Sequence, residues 1–506
     1  LGFFIIKKIF HVLNSLKRLW AEHPLLAIIL IAILPRLVAV VFSKGYGMHD
    51  DHFEVIEQPF MVIHDISFWD NRGEPEGHSV VYPSIQYFFL NAFDFAGIED
   101  PQTAMFLIRL LHAIYSLLIV YYGFKITEIL SNREIAKKVG LLLALFWALP
   151  FLSVRNLVEV VCIPPIMAGF YYTLNSRDRS LSALIAGLWF GLAFAFRYQT
   201  LTIAGMVGLM LLFQKEFRQS VYFTFGFLLS AILIQGGADV FAWGYPFASF
   251  IKYVNYNISH GQAYTTGPWY NYTLLVIGAL IPPISIFLIY GFWKKGKKIL
   301  IIFLPVLMFF ILHSIFPNKQ ERFILPVIPL ILLLGVIGWE EYIINSSFWS
   351  RHRRALKSIW AWFWIINTIL LFLFSTYYSK KSRVEAMYTL YGKDVSGVIL
   401  VGGKIGATQP PLFYTGVYPL PTFVFNNDEE VLTAKATFDT MSGHPNYAVF
   451  FGSEDLDKRV RHIESSLDLK LLLERKIEPS FLDYVFYKLN PKYNKNETAF
   501  VYLSKK

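Results

Sequence analysis

The segment Met48-His49-Asp50-Asp51-His52-Phe53-Glu54 concentrates carboxylates and imidazoles a few residues after the first long apolar run. A carboxylate beside an incoming hydroxyl can take its proton as a new bond forms. Adjacent residues point in different directions, so Asp50 and Asp51 need not share a role. One can act as base while the other orients a partner or binds a cation. The flanking His49 and His52, followed by Glu54 and Glu57, weigh towards a reaction site; a solvated acidic loop is the alternative. His49, His52, His64 and His78 match no recognised ligand spacing and fit zinc poorly, so no metal ligands are assigned. An Asp-rich loop can hold a hard divalent cation loosely, with water completing its shell, and that option stays open. No other cofactor is expected.

Further polar groups stand out against apolar surroundings. Arg155 and Glu159 fall at a helix end. Arg197, in Phe196-Arg197-Tyr198-Gln199, occupies a turn where paired donors can grip a phosphate or carboxylate. Lys319 and Arg322, in Asn318-Lys319-Gln320-Glu321-Arg322-Phe323, put positive charge on a face where membrane proteins avoid it, which hints at an anionic ligand. Snorkelling to headgroups is the competing account. Arg36 and Arg109 lie deep in apolar segments and must face a cavity or a partner. The stretch 243–272 (WGYPFASFIKYVNYNISHGQAYTTGPWYNY) is rich in aromatic rings and amides, which suits the C–H faces and hydroxyls of a sugar. An interfacial aromatic belt would account for the tyrosines singly, but poorly for the amides.

The elements that must position these groups are membrane helices. Of 506 residues, 55% are hydrophobic and 16% charged, against roughly 25% charged in a soluble domain. Apolar runs near 22–42, 104–125, 137–153, 157–174, 182–196, 199–213, 220–242, 272–293, 299–316, 323–343 and 358–378 predict about eleven transmembrane helices. Basic connections at 132–138, 177–179, 215–218, 294–298 and 351–357, placed inside, put the N-terminus in and the C-terminus out. The same pattern explains the net charge of +10 without nucleic acid. The short run 82–96 reads as an interfacial or re-entrant helix, with a tilted span as the alternative.

Residues 1–20, with Lys7, Lys8, Lys17 and Arg18 among apolar side chains, read as a cytoplasmic amphipathic helix. Lacking a small-residue cleavage site, they are expected to be retained. The lone Cys162 rules out a disulfide within the chain. Residues 21–379 form the transmembrane domain, including an outer first loop at 43–103 and an outer aromatic loop at 243–271. From 380 to 506 the apolar runs shrink to strand length, as in Val398–Val401, Tyr447–Phe451 and Ala499–Leu503, which predicts a small α/β domain outside the membrane.

Together these residues resemble the GT-C superfamily of polytopic glycosyltransferases, in particular the α-mannosyltransferases that build GPI anchors and N-glycan precursors. That family carries an Asp-Glu pair and a Phe-Gln step after its first helix; Asp50-Asp51-His52-Phe53-Glu54 is similar, with Asp for Glu and Glu for Gln. Its Asp followed by aromatic-Gly resembles Asp239 with Trp243-Gly244. Its aromatic loop resembles Tyr256-Asn257, Gly261, Tyr264, Gly267 and Pro268-Trp269-Tyr270-Asn271-Tyr272. Its His-Lys-Glu-x-Arg-Phe signature resembles residues 318–323, with Asn318 in place of His; Asn271 stands in place of a Trp and His49 in place of a Pro.

The resemblance implies inverting transfer of a sugar, mannose first, from a polyprenyl-phosphate donor to a lipid-linked or glycan acceptor. Asp50 would be the general base and Asp51 its orienting partner. Arg197, Lys319 and Arg322 would bind the donor phosphate. His49, His52, Glu54, Arg155, Glu159, Asp239, Asn257, Tyr264, Trp269 and Tyr270 would surround sugar and acceptor.

Two readings compete. A transporter or flippase would use Arg36 and Arg109 as substrate or gating charges, yet no internal repeat is evident. A glycan-binding assembly subunit would have no need of the acidic motif. Compact loops and the Lys/Ile/Phe-rich composition favour a bacterial inner membrane, with an ER membrane as the alternative and the site on the periplasmic or lumenal face.

Overall fold

The computed structural model describes residues 14, 17–70, 73–175, 180–260, 266–403, 409–426, 430, 444–491 and 494–505. Lys7 and Lys8 of the expected N-terminal amphipathic helix lie outside the described residues. Every apolar run expected to span is helical. Among the described residues, Pro24–Phe42, Pro101–Leu130, Phe217–Trp243, Glu321–Ile344 and Arg353–Ser375 are helices long and apolar enough to cross a membrane. Val158–Leu174, Ser180–Phe196, Tyr198–Phe213 and Leu300–Ile315 are shorter apolar helices.

Two expected spans are interrupted. The run 272–293 is a pair, Asn271–Ala279 and Ile284–Gly296, bent by 115°. The run 137–153 breaks between Arg133–Leu145 and Ala148–Leu152. There Asn367 accepts from Trp147 N–H at 3.0 Å and donates to Leu145 O at 2.8 Å. A side-chain amide thus satisfies backbone groups that a broken helix would otherwise leave bare in an apolar medium.

The chain forms two compact units. The first comprises the chain through Val40, Gly73–Tyr82 and Arg109–Ser375. Small residues let its helices meet closely, as membrane packing requires. A Cβ on Gly187 would lie 2.0 Å from Phe223 O, and one on Gly226 would lie 2.2 Å from Leu184 O. Arg36 Nε donates to Ser116 Oγ at 2.8 Å and its Nη1 to Ala32 O and Ala144 O at 3.0 and 3.1 Å, while Arg109 Nε donates to Val40 O at 2.9 Å. Both buried guanidiniums therefore tie helix backbones together.

The second unit comprises Val41–Arg72, Pro83–Ile108 and Thr376–Lys506. It joins the acidic motif to the tail that composition alone sets apart. The tail holds a mixed sheet of β1 (Val398–Val401), β2 (Thr422–Phe425), β3 (Tyr447–Phe451), β4 (Lys470–Ile477) and β5 (Ala499–Lys505), ordered β2-β1-β3-β5-β4. β1 pairs in parallel with β2 and β3, whereas β5 runs antiparallel to β3 and β4. β1 and β3 are buried throughout, hence their unbroken apolar sequence. Helix Leu456–Leu467 lays Ile463 and Leu467 on a core of Ile399, Val401, Phe450 and Tyr502.

Gly45 sets the register between the acidic segment and the tail. It bridges Ser379 in parallel and has φ +77°, and a Cβ there would lie 1.8 Å from Ser379 O. Gly45→Ala is expected to destabilise the protein by about 2–4 kcal/mol, combining left-handed strain with overlap. Thermal unfolding in detergent checks this; a wild-type melting temperature would mean that the bridge is dispensable.

Candidate active site

The acidic motif opens a continuous helical run: α-helix Asp50–His52, a π-helical turn Phe53–Glu57, then α-helix Gln58–His64. Extra-wide π turns recur at functional sites, and this one re-aims the residues after Asp50. Asp51 is buried and accepts from Gly47 N–H at 3.0 Å and Met48 N–H at 2.9 Å. It thus fixes the turn that carries Asp50. Asp50 and Glu54 are half-buried, and His49 is exposed with its ring stacked on Phe53 at 4.2 Å.

His52 and Glu57 face inward. The His52 ring lies between Tyr46 and Tyr414, with centroids at 4.7 and 5.5 Å, and its Nε2 lies 3.0 Å from Glu57 Oε1. Glu57 also accepts from Phe413 N–H at 2.9 and 3.0 Å. At 0% exposure, His52 has no surface for a sugar in this conformation and serves as packing for the motif. Burial pushes the Tyr46 phenol up to about 12, so it stays a neutral wall of that packing.

The positive groups belong to the first unit. Glu159, 1% exposed, accepts from Arg197 Nη1 at 2.5 Å and lies 3.4 Å from Arg322 Nε. Both guanidiniums border the Phe323 ring, at 5.2 and 5.8 Å. Arg197 is 5% exposed, and its Nε and Nη2 have no hydrogen-bond partner among the described residues. Guanidinium nitrogens without acceptors can grip an anion in a two-pronged way. Arg155 lies 4.6 Å over Phe151 and borders a small, mostly apolar cavity with His112, Ser116, Val160 and Val161.

Lys319, expected at the phosphate, has three protein partners. Its ammonium donates to His313 O at 2.9 Å, to Ser314 O at 2.8 Å and to Phe316 O. Three protons thus cap the end of helix Leu300–Ile315, where carbonyls lack partners. Burial lowers the Lys319 ammonium below the usual lysine range.

Asp239, expected near sugar or acceptor, is likewise engaged with protein groups. Fully buried, it accepts from Gln235 Nε2 at 2.8 Å, Ser249 Oγ at 2.7 Å and Ser249 N–H at 3.2 Å. It fastens the start of helix Ala248–His260 and so aims the aromatic segment. Within that segment Asn257 donates to Tyr253 O at 2.8 Å. Trp269 and Tyr270 are 69% and 45% exposed, leaving two aromatic faces open. Gly261 and Tyr264 lie outside the described residues. Thr266 bridges Asn318, and Tyr272 OH donates to Gln320 O at 3.1 Å, which joins two of the sequence motifs.

The profile of the Alg9-like mannosyltransferase family matches residues 26–394. The chain belongs to that family. As an Alg9-like chain it is 23% identical over 336 residues to mannosyltransferase APTG1 of Arabidopsis thaliana, covering 63% of this chain and 60% of the relative. It therefore spans less than two thirds of that relative's length. It is 21% identical over 407 residues to GPI alpha-1,2-mannosyltransferase 3 of Bos taurus, covering 78% of this chain and 72% of the relative.

Among solved structures, the Alg9-like chain is similar to ArnT from Cupriavidus metallidurans bound to undecaprenyl phosphate. The TM-score is 0.64 at 14% identity, over 94% of this chain and 97% of that one. It is also similar to the oligosaccharyltransferase AglB from Archaeoglobus fulgidus, in complex with an inhibitory peptide and a dolichol-phosphate. There the TM-score is 0.50 at 11% identity, over 88% and 71% of the two chains. At such identities the likeness establishes the fold, which is the GT-C type with a small C-terminal α/β part.

Two residues that sequence reading could not connect to the acidic segment of the Alg9-like chain are Lys380 and Phe413, which reach Gly47 and Glu57 across 333 and 356 residues.

Proposed function

We propose that this chain is an inverting glycosyltransferase. It moves a sugar, mannose first among the candidates, from a polyprenyl-phosphate donor to a hydroxyl of a lipid-linked or glycan acceptor. The observation that carries the reading is the buried Arg197 guanidinium, paired with Glu159 through one nitrogen and leaving Nε and Nη2 without partners among the described residues. Such a fork suits the two oxygens of a phosphate monoanion or diester.

In this reading the acceptor oxygen attacks the anomeric carbon and the bond to the phosphate oxygen breaks. The acceptor proton passes to Asp50, and polyprenyl phosphate leaves with the electron pair. Arg197 and Arg322 offset the charge that grows on the leaving phosphate. Glu159 holds both guanidiniums in place, and Asp51 fixes the turn that presents Asp50. One carboxylate base suffices for a single displacement, unlike retaining hydrolysis with its carboxylate nucleophile. Trp269 and Tyr270 offer stacking faces to a sugar.

Family membership supports the choice of mannose. The polyprenyl-phosphate ligands named for ArnT and AglB support the donor class. A bacterial inner membrane is the first assignment and an ER membrane the second, with about eleven crossings and chemistry at the outer or lumenal surface. Among the described residues no group of three or more His, Cys, Asp or Glu is arranged to hold a metal ion. A divalent cation bound with the donor remains compatible with the scheme. The transporter reading has less support, since Arg36 and Arg109 are engaged with helix carbonyls.

The test is a transfer assay on the purified full chain in nanodiscs, with a lipid extract as acceptor source. Polyprenyl-phosphate mannose should yield one polyprenyl phosphate per sugar transferred, and a nucleotide-linked mannose should yield none. Transfer from the nucleotide sugar alone would overturn the donor assignment.

A further inference from the structure

We propose that Asp483, far along the tail, is a positioning residue for the acidic turn, acting through Lys380 and Gly47. The inference rests on the glycosyltransferase reading for the activity that reports it.

Asp483 lies in helix Phe481–Leu489 and is 0% exposed. Its Oδ1 accepts from Tyr377 OH at 2.6 Å, Asn496 Nδ2 at 3.0 Å and Lys380 N–H at 3.1 Å, and its Oδ2 accepts from Lys381 N–H at 3.1 Å. Consecutive backbone N–H groups converging on one carboxylate form an anion nest. The nest needs an unusual backbone, and Lys380 supplies it at φ +52°. A side chain bearing this conformation is strained, and persists only where its surroundings fix it. Asp483 is the group that fixes it.

Glycine would adopt that backbone without strain, so the lysine side chain must earn its place. It does so on the acidic segment. The Lys380 ammonium donates to Gly47 O and lies 4.3 Å over the Tyr46 ring. Beside it, Ser379 Oγ donates to Tyr46 O at 2.7 Å and Ser379 N–H to Lys44 O at 3.1 Å. Gly47 in turn gives its N–H to Asp51 Oδ2 at 3.0 Å. A chain of short contacts therefore runs from Asp483 through the Lys380 backbone, the Lys380 ammonium and the Gly47 peptide to Asp51, next to the proposed base. All of it lies within one compact unit.

Replacing Asp483 by Asn keeps the shape and breaks the pattern. The single amide oxygen can serve the Oδ1 donors, which turns an NH2 group onto the Lys381 N–H. The Lys380 backbone should then relax, and its ammonium should lose Gly47. Misplacing a reacting group by about 1 Å can cost about 100-fold in rate.

The experiment compares Asp483→Asn, Lys380→Met, Lys380→Arg and the Asp483→Asn/Lys380→Met double variant in the full chain, with rates normalised to folded protein. Asp483→Asn and Lys380→Met should each lower kcat by about 10- to 100-fold, with the donor KM nearly unchanged. The double variant should be no slower than the slower single, because both act along one path. Lys380→Arg should recover most of the rate, since a guanidinium can still reach Gly47 O. Wild-type kcat in Asp483→Asn, or losses that multiply in the double variant, would overturn the proposal. Should Asp483→Asn not fold, Asp483→Glu replaces it with the same expectations, since the longer side chain displaces the nest. Asp50→Asn separates the two levels. If it abolishes transfer while Asp483→Asn runs at the wild-type rate, only the positioning role fails. If Asp50→Asn itself transfers normally, the base assignment beneath it fails.

Discussion

Asp50→Asn is expected to leave a folded protein that binds donor and transfers sugar at least 100- to 10,000-fold more slowly, the usual contribution of a positioned general base. The stability half of this expectation comes from the division of labour on the turn. Asp51 takes two backbone N–H groups, and Glu57 takes Phe413 N–H and pairs with His52. These buried acids hold the structure, whereas Asp50 is half-buried. An amide at position 50 has nearly the same size and cannot accept a proton. The checks are turnover with polyprenyl-phosphate mannose, donor affinity and thermal unfolding, all on one preparation. Near-normal turnover would remove Asp50 from the mechanism. Asp51→Asn should behave differently, lowering stability and rate together, because it loses one of the two backbone clamps.

Arg197→Ala carries the second large effect. Removing it takes away the proposed phosphate contact and leaves the buried Glu159 beside Arg322 at 3.4 Å. Loss of one transition-state donor of this kind costs about 100- to 1,000-fold in kcat. Stripping one partner from a buried ion pair costs about 3–5 kcal/mol of stability. Arg197→Ala/Glu159→Gln separates the two: the neutral amide should restore most of the melting temperature and none of the donor use. Recovery of both would make Arg197 a structural ion-pair member and move the phosphate elsewhere. Arg197→Lys should fall between, since an ammonium keeps the charge but not the two-pronged geometry.

The geometry shows which of the residues singled out in the sequence already have protein partners. Lys319 was legible as a cation on an unexpected face. Its commitment to the carbonyls of His313, Ser314 and Phe316 depends on the helix end turning back over it. Asp239 entered through the resemblance to an Asp followed by aromatic-Gly, and its oxygens are used by Gln235 and Ser249. His52 shared a motif with Asp50, but a helical run beginning at residue 50 sends neighbouring side chains in different directions.

By itself the sequence determined the class of the molecule. Periodicity, apolar length and charge placement are local properties, and they located the apolar helices, the acidic turn and three of the five strands of the tail, missing β2, β4 and the helix Ala248–His260. The ordered motifs added the family, because residue types at fixed order survive without any knowledge of contacts. Only the tertiary structure decided which charges are spent on protein partners and which keep unpartnered nitrogens among the described residues. That depends on partners hundreds of residues apart, such as Glu57 with Phe413, Lys380 with Gly47 and Glu159 with Arg197. A hydrogen bond is satisfied by direction and distance, which a linear pattern does not carry. Arg197 and Lys319 look alike in sequence as cations at the ends of apolar helices. Folding gives one a half-empty fork and the other three carbonyls.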